Sequence, residues 1–158
     1  MTKLHAAISA VGSYVPDFVL TNAILETMVE TNDEWITSRT GIKERRILKD
    51  KDKGTSYLAI QAAKDLIEKK QLDPQTIDLV IVATATPDLL VASTAAYVAS
   101  EIGATNAFSY DLQAACSSFL YGMSTAAAYI EAGRYKKVLL IGADKMSSWK
   151  LSLLSKLF

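Results

Sequence analysis

Residues 77–86 read IDLVIVATAT, a continuous run of apolar and β-branched side chains without polar alternation. A strand that is covered on both faces has this pattern, and such strands occur mainly in the centre of parallel sheets. Similar strand patterns occur at residues 107–115 and 136–144, and a mostly apolar stretch at residues 3–12 predicts another strand. The chain is therefore predicted to be built around one sheet.

Helical patterns alternate with these strands. Apolar side chains recur at helical spacing in residues 23–30, 56–72 and 116–133, and residues 93–102 are a further helix candidate. Gly133 is suited to end the last of these helices, because glycine readily adopts the left-handed conformation of a helix end. The alternation predicts an α/β fold with helices on both faces of the sheet.

A polar segment at residues 31–46 follows the first helix candidate and contains one tryptophan, Trp35. Thr21 or Asn22 can cap that helix, since both side chains accept hydrogen bonds from free backbone amides. Residues 49–54 read KDKDKG, and such a run of charges is usually a solvated surface.

The composition limits the class of protein. The chain has 158 residues, of which 50% are hydrophobic, so it can form one domain with a core. Its 17 basic and 17 acidic residues cancel, which argues against nucleic-acid binding. No apolar run approaches the ~18–20 residues that span a bilayer. The N-terminal apolar stretch is broken by Ser9, Gly12 and Ser13, unlike a secretory signal, so we expect a cytoplasmic protein.

The sequence gives little support for a cofactor or metal site. Cys116 is the one cysteine and His5 the one histidine, which excludes an intrachain disulfide framework and a Cys/His zinc cluster. The glycine spacings that bind dinucleotides or nucleoside phosphates are missing from the sequence. We therefore expect no metal and no bound cofactor.

Cys116 lies at the junction of a predicted strand and a predicted helix. The free amides at a helix N-terminus favour negative charge, and the neighbours of the cysteine are small: Ala114, Ala115, Ser117 and Ser118. Its own amide can donate to an oxyanion. These features suit a nucleophile, although a lone free cysteine is more often an inert core residue.

Three motifs follow one another along the chain: TNDEWITSRTGI at residues 31–42, IVATATPD at 81–88 and LQAACSS at 112–118. Together they resemble β-ketoacyl-[acyl-carrier-protein] synthase III, the condensing enzyme that starts type II fatty-acid synthesis. The resemblance runs from Lys3 to about Ser147. It implies an α/β, thiolase-like fold, of which this chain is the N-terminal half, in a five-layered αβαβα architecture with a mostly buried mixed sheet. It also implies a homodimer.

The resemblance implies a role for five residues. Cys116 matches the nucleophile that takes an acyl group from acyl-coenzyme A before condensation with malonyl-acyl carrier protein and loss of carbon dioxide. Trp35 and Arg39 match residues that sandwich the adenine of coenzyme A, and Thr31 and Thr40 lie beside them. An indole face and a planar guanidinium both stack on a purine. Coenzyme A thioester is thus expected as a substrate, not as a resident cofactor.

The sequence also departs from the family. Val91 stands where the family often has a phenylalanine that limits the acyl pocket of the partner subunit, and the smaller valine favours a longer or branched primer. His5 matches no catalytic position of the family. The histidine and asparagine that stabilise the condensation step belong to the second half of the fold. Residues 148–158 depart from the family sequence and are predicted as a separate tail after a half-domain at 1–147.

These departures leave two hypotheses about function. The first is a synthase III-type acyltransferase, represented by a chain that by itself lacks condensation activity. The second is a non-catalytic remnant or dimerising interaction module that retains only the half-fold. A thiol-based redox protein is a weak third, because no second cysteine is present to resolve an oxidised Cys116.

Overall fold

The computed structural model describes residues 4–148, which fall into two units. The sheet unit consists of the described part of Met1–Tyr14 together with Lys53–Lys145, and the ribbon unit consists of Val15–Asp52 and the described residues after Lys145. The proposed division into 1–147 and 148–158 stays a prediction, since all but the first residue of that tail lies outside the described residues.

The described residues contain ten helices and strands. They are, in order, β1 (Phe18–Thr21), α1 (Asn22–Glu26), α2 (Asp33–Thr40), β2 (Glu44–Ile47), α3 (Thr55–Lys70), β3 (Leu79–Ala83), α4 (Thr94–Glu101), β4 (Phe108–Leu112), α5 (Ser118–Glu131) and β5 (Val138–Gly142). Short 3₁₀ turns lie at Pro74–Thr76, Ala115–Ser117 and Met146–Ser148.

Strand β3 is the centre of the sheet unit. It lies between β4 and β5, is parallel to both, and pairs Leu79 with Phe108 on one side and with Val138 on the other. All five residues of β3 are buried. The prediction of a central parallel strand from the run at 77–86 is confirmed.

Helices cover both faces of this sheet. The core between the sheet and helices α3 and α4 is made of small and branched side chains: Ala59, Ile60, Ala63, Val80, Val82, Ala95, Val98, Ala99, Leu139 and Ile141. Helix α5 packs on the opposite face, where a Cβ added to Gly122 would lie 2.5 Å from Leu140 Cδ1. The predicted α/β fold with helices on two faces is therefore confirmed. Gly133, with a φ of 70°, follows α5 as expected.

The strand predicted at residues 3–12 is wrong for the described residues 4–12, which contain no strand. A strand needs a neighbour that pairs with its backbone, and no described strand pairs with this segment. The side chains of Leu4, Ile8 and Val11 are more than half exposed. Beyond them, the amide of Ser13 donates to Asp65 Oδ2 at 2.8 Å, which ties the chain to α3.

The ribbon unit contains elements that the sequence did not predict. Strands β1 and β2 pair antiparallel, from Phe18 opposite Ile47 to Thr21 opposite Glu44. Helix α1 is shorter than the helix predicted at 23–30, and Thr21 is its cap, accepting from the amide of Ile24 at 3.3 Å. The capping prediction is confirmed for Thr21.

Helix α2 also went unpredicted. It buries only Ile36, so it lacks the apolar stripe that marks an amphipathic helix. Its ends hold it instead: the amide of Trp35 donates to Asn32 Oδ1 at 2.7 Å, and Gly41 closes it with a φ of 71°. No helix among the described residues is long and apolar enough to cross a membrane.

Candidate active site at the carboxyl edge of the sheet

Cys116 lies at the edge of the sheet where the three parallel strands end. The amide of Thr84, the residue after β3, donates to Leu112 O at 3.1 Å, so the backbone hydrogen bonds between β3 and β4 continue to the end of both strands. Cys116 follows four residues after Leu112, in the 3₁₀ turn at Ala115–Ser117 that leads into α5. Cys116 is exposed, as a nucleophile that must reach a substrate requires.

The turn before the thiol has unusual backbone geometry. Ala115 has a φ of 45°, in the left-handed region that costs a residue with a Cβ roughly 1–2 kcal/mol. The hydroxyl of Ser118 donates to Ala115 O at 2.7 Å and helps to hold the turn. Backbone strain of this kind clusters at functional sites. The predicted strand–helix junction at Cys116 is confirmed, with a sharper turn than the sequence indicated.

Asp111 joins the strand before Cys116 to a neighbouring helix. Its carboxylate accepts hydrogen bonds from the amides of Thr94 and Ala95, both at 2.7 Å, and from Ser93 Oγ at 3.1 Å. It therefore supplies the acceptors for the first turn of α4. Ser93 caps the same helix, accepting from the amide of Ala96.

Asp144 holds the loop after β3 from the end of β5. Its Oδ1 accepts from Ala85 N at 2.8 Å, from Thr84 Oγ1 at 3.0 Å, and from Thr86 N and Oγ1 at 3.1 and 3.0 Å. Asp144 and Asp111 thus hold the beginning and the end of one loop, the loop between β3 and α4. The sequence analysis missed both residues, although an aspartate at the end of a buried strand was a usable signal.

Lys145 continues this network into the core. It is 7% exposed, its amide donates to Thr55 Oγ1 at 3.1 Å and Thr86 Oγ1 at 3.0 Å, and its ammonium donates to Lys53 O. Thr55 Oγ1 in turn donates to Thr86 O at 2.6 Å. The start of α3 is thereby bound to the same edge of the sheet.

Val91 lies on the loop between β3 and α4 and is fully exposed. A cavity of about 250 Å³ beside it is lined by other residues: Asp88, Leu89, Ala92, Ser93, Thr94 and Tyr97. Thr94 Oγ1 is buried there without a hydrogen-bond partner among the described residues. The role of Val91 in limiting an acyl pocket stays a prediction.

Trp35 and Arg39 are brought together on α2. They lie four residues apart, and Arg39 Cζ is 4.9 Å from the centre of the Trp35 ring. Thr40 is engaged in the backbone, because its hydroxyl donates to Ile36 O at 2.7 Å and accepts from Ile42 N. Thr31 precedes the helix cap and is partly buried. That Trp35 and Arg39 sandwich the adenine of coenzyme A, with Thr31 and Thr40 beside them, stays a prediction.

The pKa values of Tyr110 and Asp78 are shifted. Burial, followed by the neighbouring Tyr129, raises the pKa of Tyr110. The backbone amides of Lys137 and Lys136 lower the pKa of Asp78, which lies just before β3 and so at the opposite edge of the sheet. His5 is exposed, and the described part of the chain holds no group of three metal-ligating side chains.

The chain is similar to known proteins over nearly its whole length. The family profile of 3-oxoacyl-[acyl-carrier-protein (ACP)] synthase III matches residues 110–152, which include Cys116. A β-ketoacyl-[acyl-carrier-protein] synthase III of Phocaeicola vulgatus is 56% identical over 148 residues, or 94% of this chain and 44% of that protein. Synthase III 2 of Bacteroides thetaiotaomicron is 55% identical with the same coverage. The chain is thus similar to β-ketoacyl-[acyl-carrier-protein] synthase III proteins over part of their length.

Solved structures show the same similarity. Synthase III from Aquifex aeolicus superposes with a TM-score of 0.84 at 44% identity, over 94% of this chain and 46% of that one. The priming β-ketosynthase of the R1128 polyketide pathway gives a TM-score of 0.87 at 34% identity, over 92% and 43%. The thiolase-like fold class is confirmed. The chain spans less than half the length of the synthase III relatives that it matches.

Proposed function

We propose that the whole protein is a synthase III-type acyltransferase that condenses an acyl-coenzyme A primer with malonyl-acyl carrier protein. The observation that carries the proposal is the exposed Cys116 on its left-handed turn at the carboxyl edge of the sheet. Ligand sites of parallel α/β sheets generally lie at this edge. The similarity to synthase III proteins over 94% of the chain supports the same reaction.

In the first step, the Cys116 thiolate attacks the thioester carbon of acyl-coenzyme A. The new S–C bond forms, the bond to the coenzyme A sulfur breaks, and coenzyme A leaves as a thiolate that takes up a proton. Negative charge develops on the carbonyl oxygen, and the backbone amide of Cys116 is a suitable donor for it. This step uses only groups that the sheet unit contains.

In the second step, the acyl-enzyme condenses with malonyl-acyl carrier protein and carbon dioxide leaves. That step needs donors to stabilise the developing enolate, and loss of one such donor typically costs about a hundredfold or more in rate. The chain has one histidine, His5, which is exposed in the irregular N-terminal segment. We therefore propose that the 158-residue chain accepts an acyl group but does not condense it.

The proposal includes a homodimer in the cytoplasm. The homodimer is supported by exposed apolar side chains, which include the fully exposed Val91 and four residues of α5. The exposed members on α5 are Phe119, Leu120, Tyr121 and Met123. Contiguous apolar patches of more than a few hundred Å² are rare on soluble monomers. The same surface favours the second candidate, an interaction module without catalysis.

Self-acylation distinguishes the two candidates. The purified chain is incubated with acetyl-coenzyme A, and the acylated residue is located by intact mass and peptide mapping. We expect acylation at Cys116, none in Cys116→Ser, and unchanged acylation in the matched variant Ser117→Ala. Without any acylation of Cys116 in a folded chain, the interaction module becomes the better account. A ketoacyl product formed from malonyl-acyl carrier protein by this chain would contradict the proposed division of steps.

A further inference from the structure

The turn that carries Cys116 is held through one backbone oxygen, that of Ala115. Ser118 donates to this oxygen twice, from its amide as the 3₁₀ turn closes and from its hydroxyl at 2.7 Å. Ser118 is the first residue of α5 and is 5% exposed, so its hydroxyl is largely shielded from competing water. The amide of Ser117 also donates to Ala114 O at 3.0 Å. The Ser118 hydroxyl therefore adds a side-chain bond to a turn that its backbone already closes.

The Ala115 carbonyl and the Cys116 amide belong to the same peptide group. A trans peptide group is planar, and its C=O and N–H point in opposite directions. Bonds that fix the direction of Ala115 O therefore also fix the direction of the Cys116 N–H. The φ of Ala115 is 45°, a value that a residue with a Cβ seldom adopts unless its surroundings hold it there.

The direction of the Cys116 N–H matters because this amide is the donor that the sheet unit offers to an oxyanion. In the described part of the chain, no hydrogen bond joins it to a backbone oxygen outside its own turn. Donors stabilise a developing charge best when they already point at it before the reaction begins. A group that orients this amide thus bears on the rate of acyl transfer without touching the thioester.

We infer that Ser118 is a positioning residue for acyl transfer, whose hydroxyl acts through Ala115 O to hold the Cys116 amide toward the developing oxyanion. The inference rests on the proposed function, in which Cys116 accepts an acyl group. Removing the hydroxyl leaves the backbone bond from Ser118 to Ala115 O, so the turn persists with a less strictly oriented amide. The net contribution of one hydrogen bond corresponds to about a two- to tenfold change in rate.

The test compares two reactions of the same thiol. S-acetyl-N-acetylcysteamine is an acetyl thioester without a nucleotide, so purine binding plays no part. The Cys116 S–C bond forms, the bond from the carbonyl carbon to the cysteamine sulfur breaks, and the released thiolate takes up a proton. Iodoacetamide alkylates the thiolate by displacing iodide, and no oxyanion develops. Intact mass measures both rates at one pH, and peptide mapping locates the modified residue.

We expect Ser118→Ala to slow acetylation of Cys116 by about two- to tenfold and to leave alkylation unchanged. Alanine is smaller than serine and suits a helix, so the variant should fold, which circular dichroism checks. Ser118→Thr keeps the hydroxyl and should acetylate at nearly the rate of the unmodified chain. Thr125→Ala is the matched control, because Thr125 Oγ1 makes the same kind of bond within α5, at 2.8 Å to Tyr121 O, and its loss should change neither rate.

The outcomes separate this inference from the proposed function. Unchanged acetylation in Ser118→Ala overturns the positioning role and leaves the proposed function standing. An equal loss in both reactions also overturns it, because the hydroxyl would then act on the exposure or ionisation of the thiol. Acetylation of Ser118→Thr as slow as that of Ser118→Ala would show that the hydroxyl is not the group that matters. If the unmodified chain is alkylated but not acetylated, the proposed function fails and the positioning role fails with it.

Discussion

Replacing Asp111 by alanine removes the acceptors for the first turn of α4. Two backbone amides, those of Thr94 and Ala95, lose bonds of 2.7 Å to a carboxylate, and these two residues are 3% and 0% exposed. A hydrogen bond to a charged group contributes about 1.5–3 kcal/mol, and a buried donor left without a partner is costly. We expect the free energy of unfolding to fall by about 3–4 kcal/mol, a large part of the ~5–15 kcal/mol of a typical domain.

Urea unfolding, followed by the helical circular dichroism signal at one protein concentration, measures this loss. Asp111→Asn keeps one acceptor oxygen, so it should lose about half as much. Asp73→Ala is the matched control, because Asp73 caps an exposed 3₁₀ turn through a single bond of 3.0 Å to Gln75 N and should cost about 1 kcal/mol or less. If Asp111→Ala costs no more than Asp73→Ala, Asp111 does not hold the sheet edge as argued.

Three further predictions follow from other parts of the sheet unit. Gln71 ends α3 with a φ of 49°, so Gln71→Gly should raise the free energy of unfolding by up to about 1 kcal/mol in urea titrations, and an unchanged value would contradict the strain. The pKa of Asp78 is lower in the folded than in the unfolded chain, so the ionised carboxylate stabilises the fold, and this stabilisation is lost as the pH falls through the folded pKa. The difference in the free energy of unfolding between the unmodified chain and Asp78→Asn should therefore shrink below about pH 4, and a pH-independent difference would refute this linkage. Exposed apolar residues on α5, together with a net charge of zero, should make the 158-residue chain self-associate at micromolar concentration, which light scattering measures. A monodisperse monomer that also unfolds cooperatively would show that these residues need no partner surface.

The sequence predicted the elements whose burial leaves a pattern. The run at 77–86 became β3 because a strand between two others, covered by helices on both faces, is apolar at every position. Helix α3 was found for a similar reason, since its buried residues, among them Ala59, Ile60 and Ala63, repeat at helical spacing. Helix α5 was also predicted from its apolar residues, although several of these are exposed. The spacing of apolar residues reflects which sides of a segment are buried, so it predicts these elements directly.

Elements held by hydrogen bonds or by distant partners escaped prediction. Helix α2 buries one residue and is held by Asn32 and Gly41 at its ends. The apolar stretch at 3–12 looks like a strand, but pairing is a property of two segments, and local sequence describes only one. Ala115 gave no sign of its left-handed φ, which a glycine at that position would have signalled.

The position of Cys116 depends on contacts that lie within the sheet unit. Asp144 binds the beginning of the loop between β3 and α4, and Asp111, on the strand that leads to Cys116, binds its end, so this loop is fixed by residues of the same unit. The central strand is paired on both edges, whereas β4 and β5 each have one edge that no described strand pairs. The thiol follows β4, which is paired with the central strand on one of its edges. For this reason we expect the acyl-accepting step to be measurable in this chain.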